Sequence, residues 1–394
     1  MLKFYHKKLK NNLSLLIIKT KKLSSLDITL YIKTGSVYEN KNNNGISHLL
    51  EHLLFLKTKQ SKLNPIALDI YPYTRKDFTY FEITTHKDLV NTALSNLFSI
   101  INSPNFTKEN LKTVKNIAKE ELIEFNENPY DVLNQKIDAY LYQDNSLSFN
   151  VGGDEKSIDS ITFYDLKEWY NNYYQPSNML LTLVGDVNIN EVVKKINNNS
   201  GFSNLAENKK IDKIIYPATS KPIYLKNNLN SQQTYLAFVF PTSSLDNSDY
   251  IRFILLSEIL NKKLRQSFEN SGLLYDISLY YQPYSNAGEF RIITACKKSN
   301  VKIILEKFDS FVDNLKISSS SFEAIKNYIK YQFILKEDNV DELSSLSLYL
   351  LKHKPKLITL ENEIETIKNT KFSEINKIKR KVFNKKNSYY FIMN

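Results

Sequence analysis

Residues 45–55, GISHLLEHLLF, carry the most specific pattern in this sequence. The run predicts a helix from about Ile46 to Phe55, in which His48 and His52 lie four residues apart and therefore share one face. Glu51 borders that face, where a carboxylate can take a proton from a cation-bound water without being a ligand itself. Two neutral imidazoles, a further carboxylate and an open fourth position suit zinc, so the run predicts a catalytic zinc site.

An alternative is a helix whose two histidines and one glutamate are ordinary surface residues. The apolar neighbours oppose it, because a helix with leucines at 49, 50, 53 and 54 is substantially buried, and buried imidazole or carboxylate groups need partners. The chain has 5 histidines among 394 residues, so His-x-x-Glu-His rarely arises by chance. We therefore interpret the run as a metal site.

The size and composition indicate a folded protein of two domains. At 394 residues the chain exceeds the usual size of one compact core, and 42% apolar with 12% aromatic residues is typical of globular proteins. We see no uncharged apolar run of about 18 to 20 residues and no cleavable signal segment, so we expect no membrane insertion and a cytoplasmic location. A single cysteine, Cys296, excludes an internal disulfide framework and fits a reducing compartment.

The formal net charge of +11 would fit a nucleic-acid-binding protein, whose binding would depend strongly on salt. Lysine is, however, spread along the whole chain. The densest basic stretch, residues 377–386, has helical spacing around Ile378 and Val382, as on the solvated face of a helix. We therefore expect no nucleic-acid partner.

Strands and helices follow one another in a similar order in the two halves of the chain. In the first half the sequence predicts strands at 13–20, 27–34, 78–85 and 179–184 and helices at 46–55, 89–101, 108–125, 130–142 and 161–174. In the second half it predicts strands at 235–240, 274–281, 289–295 and 388–393 and helices at 250–268, 301–315, 320–336, 341–351 and 373–382. We therefore expect an α+β fold of two similar domains, each a mixed β-sheet with helices packed on it. The expected boundaries are 1–200 and 214–394, with the polar segment 201–213 as linker.

The motif and its surroundings resemble the pitrilysin and mitochondrial processing peptidase family of inverted zincins, in which the order of the common zincin motif is reversed. Further matches are spread over the chain: GSVYE at 35–39, Gly152-Gly153, QPSNM at 175–179, VGDV at 184–187 and GLLY at 272–275. The resemblance implies a zinc-dependent endopeptidase with one zinc ion per chain. It also implies that the two domains form half of a clamshell that encloses a peptide.

The resemblance implies the third zinc ligand as well. In the family this ligand is a glutamate on a later helix, about eight residues before a proline, which corresponds to Glu121 before Pro129. Glu120, Glu124 and Glu127 are alternatives in the same segment.

Two further groups of residues are implied by the family pattern. Tyr71, Tyr73 and Thr74 correspond to an edge strand that pairs with the peptide backbone, and Tyr275 to a tyrosine that holds the substrate carbonyl and its developing oxyanion. Pro72 stands on this edge strand and removes one backbone donor, so peptide pairing must differ there.

The sequence departs from the family most clearly in its second half. The arginine that accompanies the tyrosine is replaced by Phe268, and Arg265 lies three residues earlier. In the first half, Val114 replaces a carboxylate that orients a ligating histidine. The step from His52 to Glu121 is also several residues shorter than usual, which removes about two turns of helix.

These features predict a zinc endopeptidase that cleaves short or unfolded peptides, such as a processing or leader peptidase. The incomplete arginine and tyrosine pair predicts a second family subunit in a heterodimer, with a homodimer as the next alternative. A catalytically weak or inactive member that acts as a peptide-binding scaffold is the competing hypothesis, which the complete set of His48, Glu51 and His52 opposes.

Overall fold

A computed structural model describes residues 2–60, 68, 70–102, 104–143, 145–198, 216–217, 222–226, 231–242, 247–268, 271–284, 287–347 and 359–394. The chain divides into two compact units. The first unit comprises residues 1–124, 144–211 and 335–359, and the second comprises 125–143, 212–334 and 360–394. The expected linker, 201–213, lies outside the described residues.

The described residues form eleven strands and thirteen helices. In chain order the strands are β1 (Lys3–Lys8), β2 (Ser14–Lys19), β3 (Ser25–Ile32), β4 (Ile70–Thr74), β5 (Thr79–His86), β6 (Met179–Gly185), β7 (Ile223–Leu225), β8 (Gln233–Thr242), β9 (Leu274–Pro283), β10 (Gly288–Lys297) and β11 (Tyr389–Met393). The helices are α1 (Ile46–Gln60), α2 (Val90–Asn102), α3 (Lys108–Glu127), α4 (Pro129–Leu141), α5 (Glu155–Ser160), α6 (Phe163–Tyr173), α7 (Ile189–Asn198), α8 (Asn247–Phe268), α9 (Val301–Asp313), α10 (Ser319–Leu335), α11 (Val340–Ser344), α12 (Leu360–Asn369) and α13 (Phe372–Val382).

The sheet of the first unit has six strands in the order β1-β2-β6-β3-β5-β4. Strands β2 and β6 run parallel, and the other neighbours are antiparallel. Alternation along β3 places Leu26, Ile28 and Leu30 in the core with the apolar side of α1. Strand β4 is at the edge of this sheet.

The sheet of the second unit has five strands in the order β7-β11-β8-β10-β9. This is the order β2-β6-β3-β5-β4 repeated, including a parallel pair followed by three antiparallel pairings. The expected α+β fold of two similar domains is therefore confirmed, and α8 occupies in the second unit the chain position that α1 occupies in the first.

Each half of the chain gives one helical segment to the other unit. Residues 125–143 belong to the second unit, where Asp138 of α4 forms an ion pair of 2.7 Å with Arg291 of β10. Residues 335–359 belong to the first unit, where the hydroxyls of Ser344 on α11 and Thr29 on β3 lie 3.3 Å apart. Apolar periodicity shows which face of a helix is buried but not the sheet against which the helix packs. The expected boundaries, 1–200 and 214–394, therefore assign each of these segments to the other unit.

The predicted helices and strands overlap observed elements wherever the structure describes them. The end of the predicted helix 341–351 lies outside the described residues, and α11 ends at Ser344. The sequence patterns did not predict five of the observed elements, namely β1, α5, α7, β7 and α12. Strand β7 has three residues and α5 has six, too few to show a period. In the part of the chain that the structure describes, no helix has the length and apolar character needed to span a bilayer.

Candidate metal centre

A buried carboxylate fixes the start of α1. Glu39 is 2% exposed and accepts hydrogen bonds from the backbone N–H groups of Gly45 (2.7 Å) and Ser47 (3.0 Å) and from Nδ2 of Asn44 (2.9 Å). Burial raises the pKa of Glu39, and these hydrogen bonds oppose the rise. The N–H groups of a first helical turn have no partner within the helix, so an acceptor there stabilises both the turn and the helix dipole.

A close backbone contact holds the same turn from the other side. Gly45 has φ +93°, and a Cβ added there would lie 2.8 Å from the carbonyl oxygen of Gly152. Gly153 has φ +82°, and a Cβ added there would lie 2.7 Å from the carbonyl oxygen of Asn44. The glycines at 45 and 153 therefore let residues 152 and 153 pack closely against the start of α1.

Two imidazoles converge on one carboxylate oxygen. Nε2 of His48 and Nε2 of His52 each lie 3.2 Å from Oε2 of Glu121, and the two rings have centroids 4.4 Å apart. Both histidine side chains are largely buried, whereas Glu121 is about half exposed. The structure thus brings together the three residues that the sequence predicts as ligands.

The helical phase of α3 explains why Glu121 points at the histidines. Val114 and Ala118 are buried in the core, and Glu121 follows them at intervals of four and three residues on the same face. The alternatives Glu120, Glu124 and Glu127 are exposed. Among the described residues, none of these three belongs to the group of possible metal ligands formed by His48, His52 and Glu121. The apolar residues at 114 and 118 are visible in the sequence. Extending their face of the helix by three residues would have selected Glu121 from the four glutamates.

The donor atoms fit a zinc ion. Zinc bonds of about 2.0 to 2.1 Å to nitrogen and oxygen place tetrahedral ligands about 3.3 Å apart, close to the 3.2 Å separations seen here. Hydrogen bonds from His48 and His52 hold the pKa of Glu121 well below its usual range, so its carboxylate is ionised. Burial lowers the pKa of His48, but the hydrogen bond to Glu121 and the charges of nearby glutamates outweigh burial and raise it.

Glu51 lies in the same cleft as these ligands. It is 4% exposed, and its Oε2 accepts a hydrogen bond of 2.9 Å from the hydroxyl of Thr74 on β4. The cleft has a volume of about 390 Å³. Its lining combines Glu51, Thr74 and the three ligand candidates with largely apolar side chains. The apolar lining residues are Phe55, Leu56, Pro72, Tyr73 and Ile117.

Strand β4 presents the residues expected to contact a peptide. Tyr71 and Tyr73 are exposed, and Tyr73 stacks on Tyr80 of β5 with ring centroids 5.1 Å apart. Among the described residues of the first unit, β4 has a strand neighbour on one side only, and Pro72 lies within it. Thr74 combines a place on this strand with its bond to Glu51, a contact that sequence reasoning missed because the two residues are 23 positions apart.

Two family positions that differ in the sequence are occupied by core residues. Val114 is fully buried on α3, at the position where the family pattern has a carboxylate. In the second unit Phe268 is 1% exposed at the end of α8, with Nζ of Lys307 5.0 Å from its ring centroid. Tyr275 lies on β9 and is 60% exposed, while Arg265 is exposed on α8.

Two sequence models of one peptidase family match the chain. The model described as Insulinase (Peptidase family M16) matches residues 15–155, and the model described as Peptidase M16 inactive domain matches residues 160–329. The first match contains every residue of the cleft, and the second contains Tyr275.

Individual relatives and solved structures agree with these matches. The chain is 23% identical over 380 residues to a Bacillus subtilis protein named as an uncharacterized zinc protease, which covers 91% of this chain and 90% of that protein. It is 24% identical over 341 residues to the beta subunit of mitochondrial-processing peptidase of Rattus norvegicus, covering 80% and 69% respectively. A protease from Helicobacter pylori has the same fold, with a TM-score of 0.88 at 18% identity over 100% of this chain and 99% of that one. A chain of Complex III2 from Candida albicans gives a TM-score of 0.81 at 14% identity over 99% and 95%.

Proposed function

Because the chain belongs to the M16 peptidase family, we propose that it is a zinc-dependent endopeptidase that cleaves short or unfolded peptides. The observation that carries the proposal is the convergence of both Nε2 atoms, of His48 and His52, on Oε2 of Glu121 at 3.2 Å. Glu51 lies in the same cleft, so the set contains three ligands and one proton acceptor. The relatives named as zinc proteases support the same chemistry.

His48, His52 and Glu121 would hold the zinc ion through those three atoms. When bound, zinc supplies Lewis acidity, which makes water more acidic and polarises a peptide carbonyl. Glu51 accepts the proton of the attacking water and returns it to the nitrogen of the leaving amine. We assign this proton to Oε1, because Oε2 accepts the hydrogen bond from Thr74.

The edge strand β4 supplies the binding surface for the peptide. An extended peptide can add to such an edge by main-chain hydrogen bonds, with Tyr71, Tyr73 and Thr74 beside it. Pro72 has no N–H, so the ladder contains one bond fewer at that residue. The net charge of +11 favours acidic or neutral peptides over arginine-rich ones.

A second subunit would complete the site in this proposal. Phe268 stands where the family pattern has an arginine, and its burial means that an arginine side chain could not take its place without disturbing the core. Tyr275 remains exposed and available. We propose that a second family chain carrying the arginine joins this one as a heterodimer, with a homodimer that uses Tyr275 alone as the alternative.

A peptide-binding subunit with little or no activity is the second candidate function. Phe268 and Val114 favour it, because both remove groups that support catalysis in the family pattern. This candidate predicts peptide binding with cleavage no faster than that of Glu51→Gln.

Zinc analysis and peptide digestion of purified protein test the proposal. We expect one zinc ion per chain and cleavage of unstructured peptides, detected by mass spectrometry, by the chain alone or with a second family subunit. Glu51→Gln should retain zinc and lose at least about 100-fold in rate, whereas Glu120→Gln, an exposed glutamate of α3, should match the unaltered protein. A protein that binds no zinc would overturn the proposal.

A further inference from the structure

Thr74 joins the peptide-binding strand to the proton acceptor. Its hydroxyl donates to Oε2 of Glu51 at 2.9 Å, across 23 positions of sequence. We propose that Thr74 is a positioning residue, which holds the Glu51 carboxylate in the orientation needed for proton transfer and ties that orientation to the strand on which the peptide adds. This inference rests on the proposed peptidase function.

The Glu51 carboxylate needs such a partner because α1 alone does not fix it. A glutamate side chain has three rotatable bonds, and ordering it costs conformational entropy. A hydrogen bond to a carboxylate is stronger than one between neutral groups and can offset that cost, since Glu51 is 4% exposed. Because the hydroxyl bonds one oxygen, Oε2, it also determines which oxygen remains for the proton.

The backbone of β4 places Thr74 next to an added peptide. In an antiparallel sheet the N–H and C=O groups of successive residues point alternately to the two sides of a strand. Proline is tolerated in an edge strand where its nitrogen faces away from the neighbouring strand, so Pro72 directs its main chain outward, away from β5. Two residues further on, Thr74 directs its main chain outward as well.

Thr74 would therefore contact both the added peptide and the proton acceptor Glu51. The main chain of Thr74 lies in the row that an added peptide would pair with, and its side chain holds the proton acceptor. Displacement of this part of β4 would move the Glu51 carboxylate. Pairing with a peptide would restrict the motion of both the strand and the carboxylate. The threonine should consequently affect turnover more than peptide binding.

Three variants separate this role from a general structural one. Thr74→Val keeps the shape and removes the donor, Thr74→Ser keeps the donor, and Thr85→Val removes a threonine hydroxyl from the neighbouring strand β5 without touching the cleft. We expect Thr74→Val to lower kcat on the order of 10- to 100-fold with KM changed less than about threefold. Thr74→Ser should restore kcat to within about threefold of the unaltered protein, and Thr85→Val should leave it unchanged. Zinc content should be the same in all four proteins, and all four should remain folded at the assay temperature.

Crystal structures of the zinc-free unaltered protein and Thr74→Val provide a readout other than activity. The Glu51 carboxylate should occupy one position beside residue 74 in the unaltered protein and should lose that position in Thr74→Val. Full kcat in Thr74→Val, together with a well-ordered Glu51, would overturn the role of Thr74 while leaving the peptidase proposal intact. Absence of zinc, or of any effect of Glu51→Gln on cleavage, would instead count against the peptidase proposal.

Discussion

At the scale of single residues, Glu121 shows how a helix face selects a ligand from a run of similar side chains. Four glutamates lie between residues 120 and 127, and the motif alone does not choose among them. Burial of Val114 and Ala118 turns one face of α3 toward the core, and Glu121 continues that face to the histidines. The ligand role proposed for Glu121 therefore rests on packing as much as on the family pattern.

Replacing this carboxylate should weaken metal binding selectively. We expect Glu121→Gln to lower zinc affinity by more than about 100-fold, because the substitution removes the anionic donor of the cluster and even a residue that merely supports a ligand is worth about 10- to 100-fold. Competition with a chromogenic chelator measures the affinity. Glu124→Gln, on the exposed part of the same helix, should bind zinc as the unaltered protein does. The reverse pattern would transfer the ligand role from Glu121 to Glu124.

At the scale of elements, α1 depends on groups outside the helix for its first turn. Glu39 accepts three hydrogen bonds at this end, two of them from backbone N–H groups. His48 lies in this first turn and His52 in the next, so the start of the helix sets the position of both imidazoles. The segment GSVYE at 35–39 was part of the family resemblance, but its contact with α1 was not visible in the sequence.

Removal of the negative charge at position 39 should destabilise the first unit. In Glu39→Gln one oxygen remains as acceptor, while the amide NH2 faces groups that are donors themselves. We expect a loss of about 2 to 3 kcal/mol in the free energy of unfolding, measured by urea denaturation in the zinc-free protein. Glu155→Gln, an exposed residue in the first turn of α5, should change stability by less than about 0.5 kcal/mol. An equally small effect at position 39 would show that α1 does not need this cap.

At the scale of the whole molecule, the exchanged segments meet their sheets at clusters of charged side chains. In the second unit, Arg291 forms ion pairs with both Asp138 and Glu289. In the first unit, residues 335–347 bring Asp341 to Asp27 and Glu82, whose carboxylate oxygens lie within 4.8 Å of one another. The first cluster contains its own cation, whereas the second is formed by three acidic groups.

This difference predicts a pH dependence of stability that arises at Asp27. Burial raises the pKa of Asp27 to about 8, and the charges of Glu82 and Asp341 add to the rise, while hydrogen bonds with Ser344 and Thr29 oppose it. Between the ordinary pKa of 3.8 and about 8, the folded state keeps a proton that the unfolded state has lost. The free energy of unfolding should therefore fall as pH rises through this range, by at most about 1.4 kcal/mol per pH unit, and level off above it.

Urea denaturation at several pH values, with Asp27→Asn as the variant, measures this contribution. We expect the variant to have a flatter profile between about pH 5 and 8, because an amide cannot ionise. Asp338→Asn removes an exposed aspartate and should leave the profile as it is. Identical slopes in Asp27→Asn and the unaltered protein would place the pH dependence elsewhere.

The sequence by itself determined the features that depend on short spacings along the chain. The pair His48 and His52 with Glu51, the alternation of strands and helices, and the α+β class all follow from periods of two to four residues, which are local properties of the backbone. Tertiary structure decided the rest: the bond between Thr74 and Glu51, the cap of α1 by Glu39, and the exchange of residues 125–143 and 335–359 between the units. These join residues that are distant in sequence, and their meeting depends on which sheet each segment packs against, which no local pattern specifies.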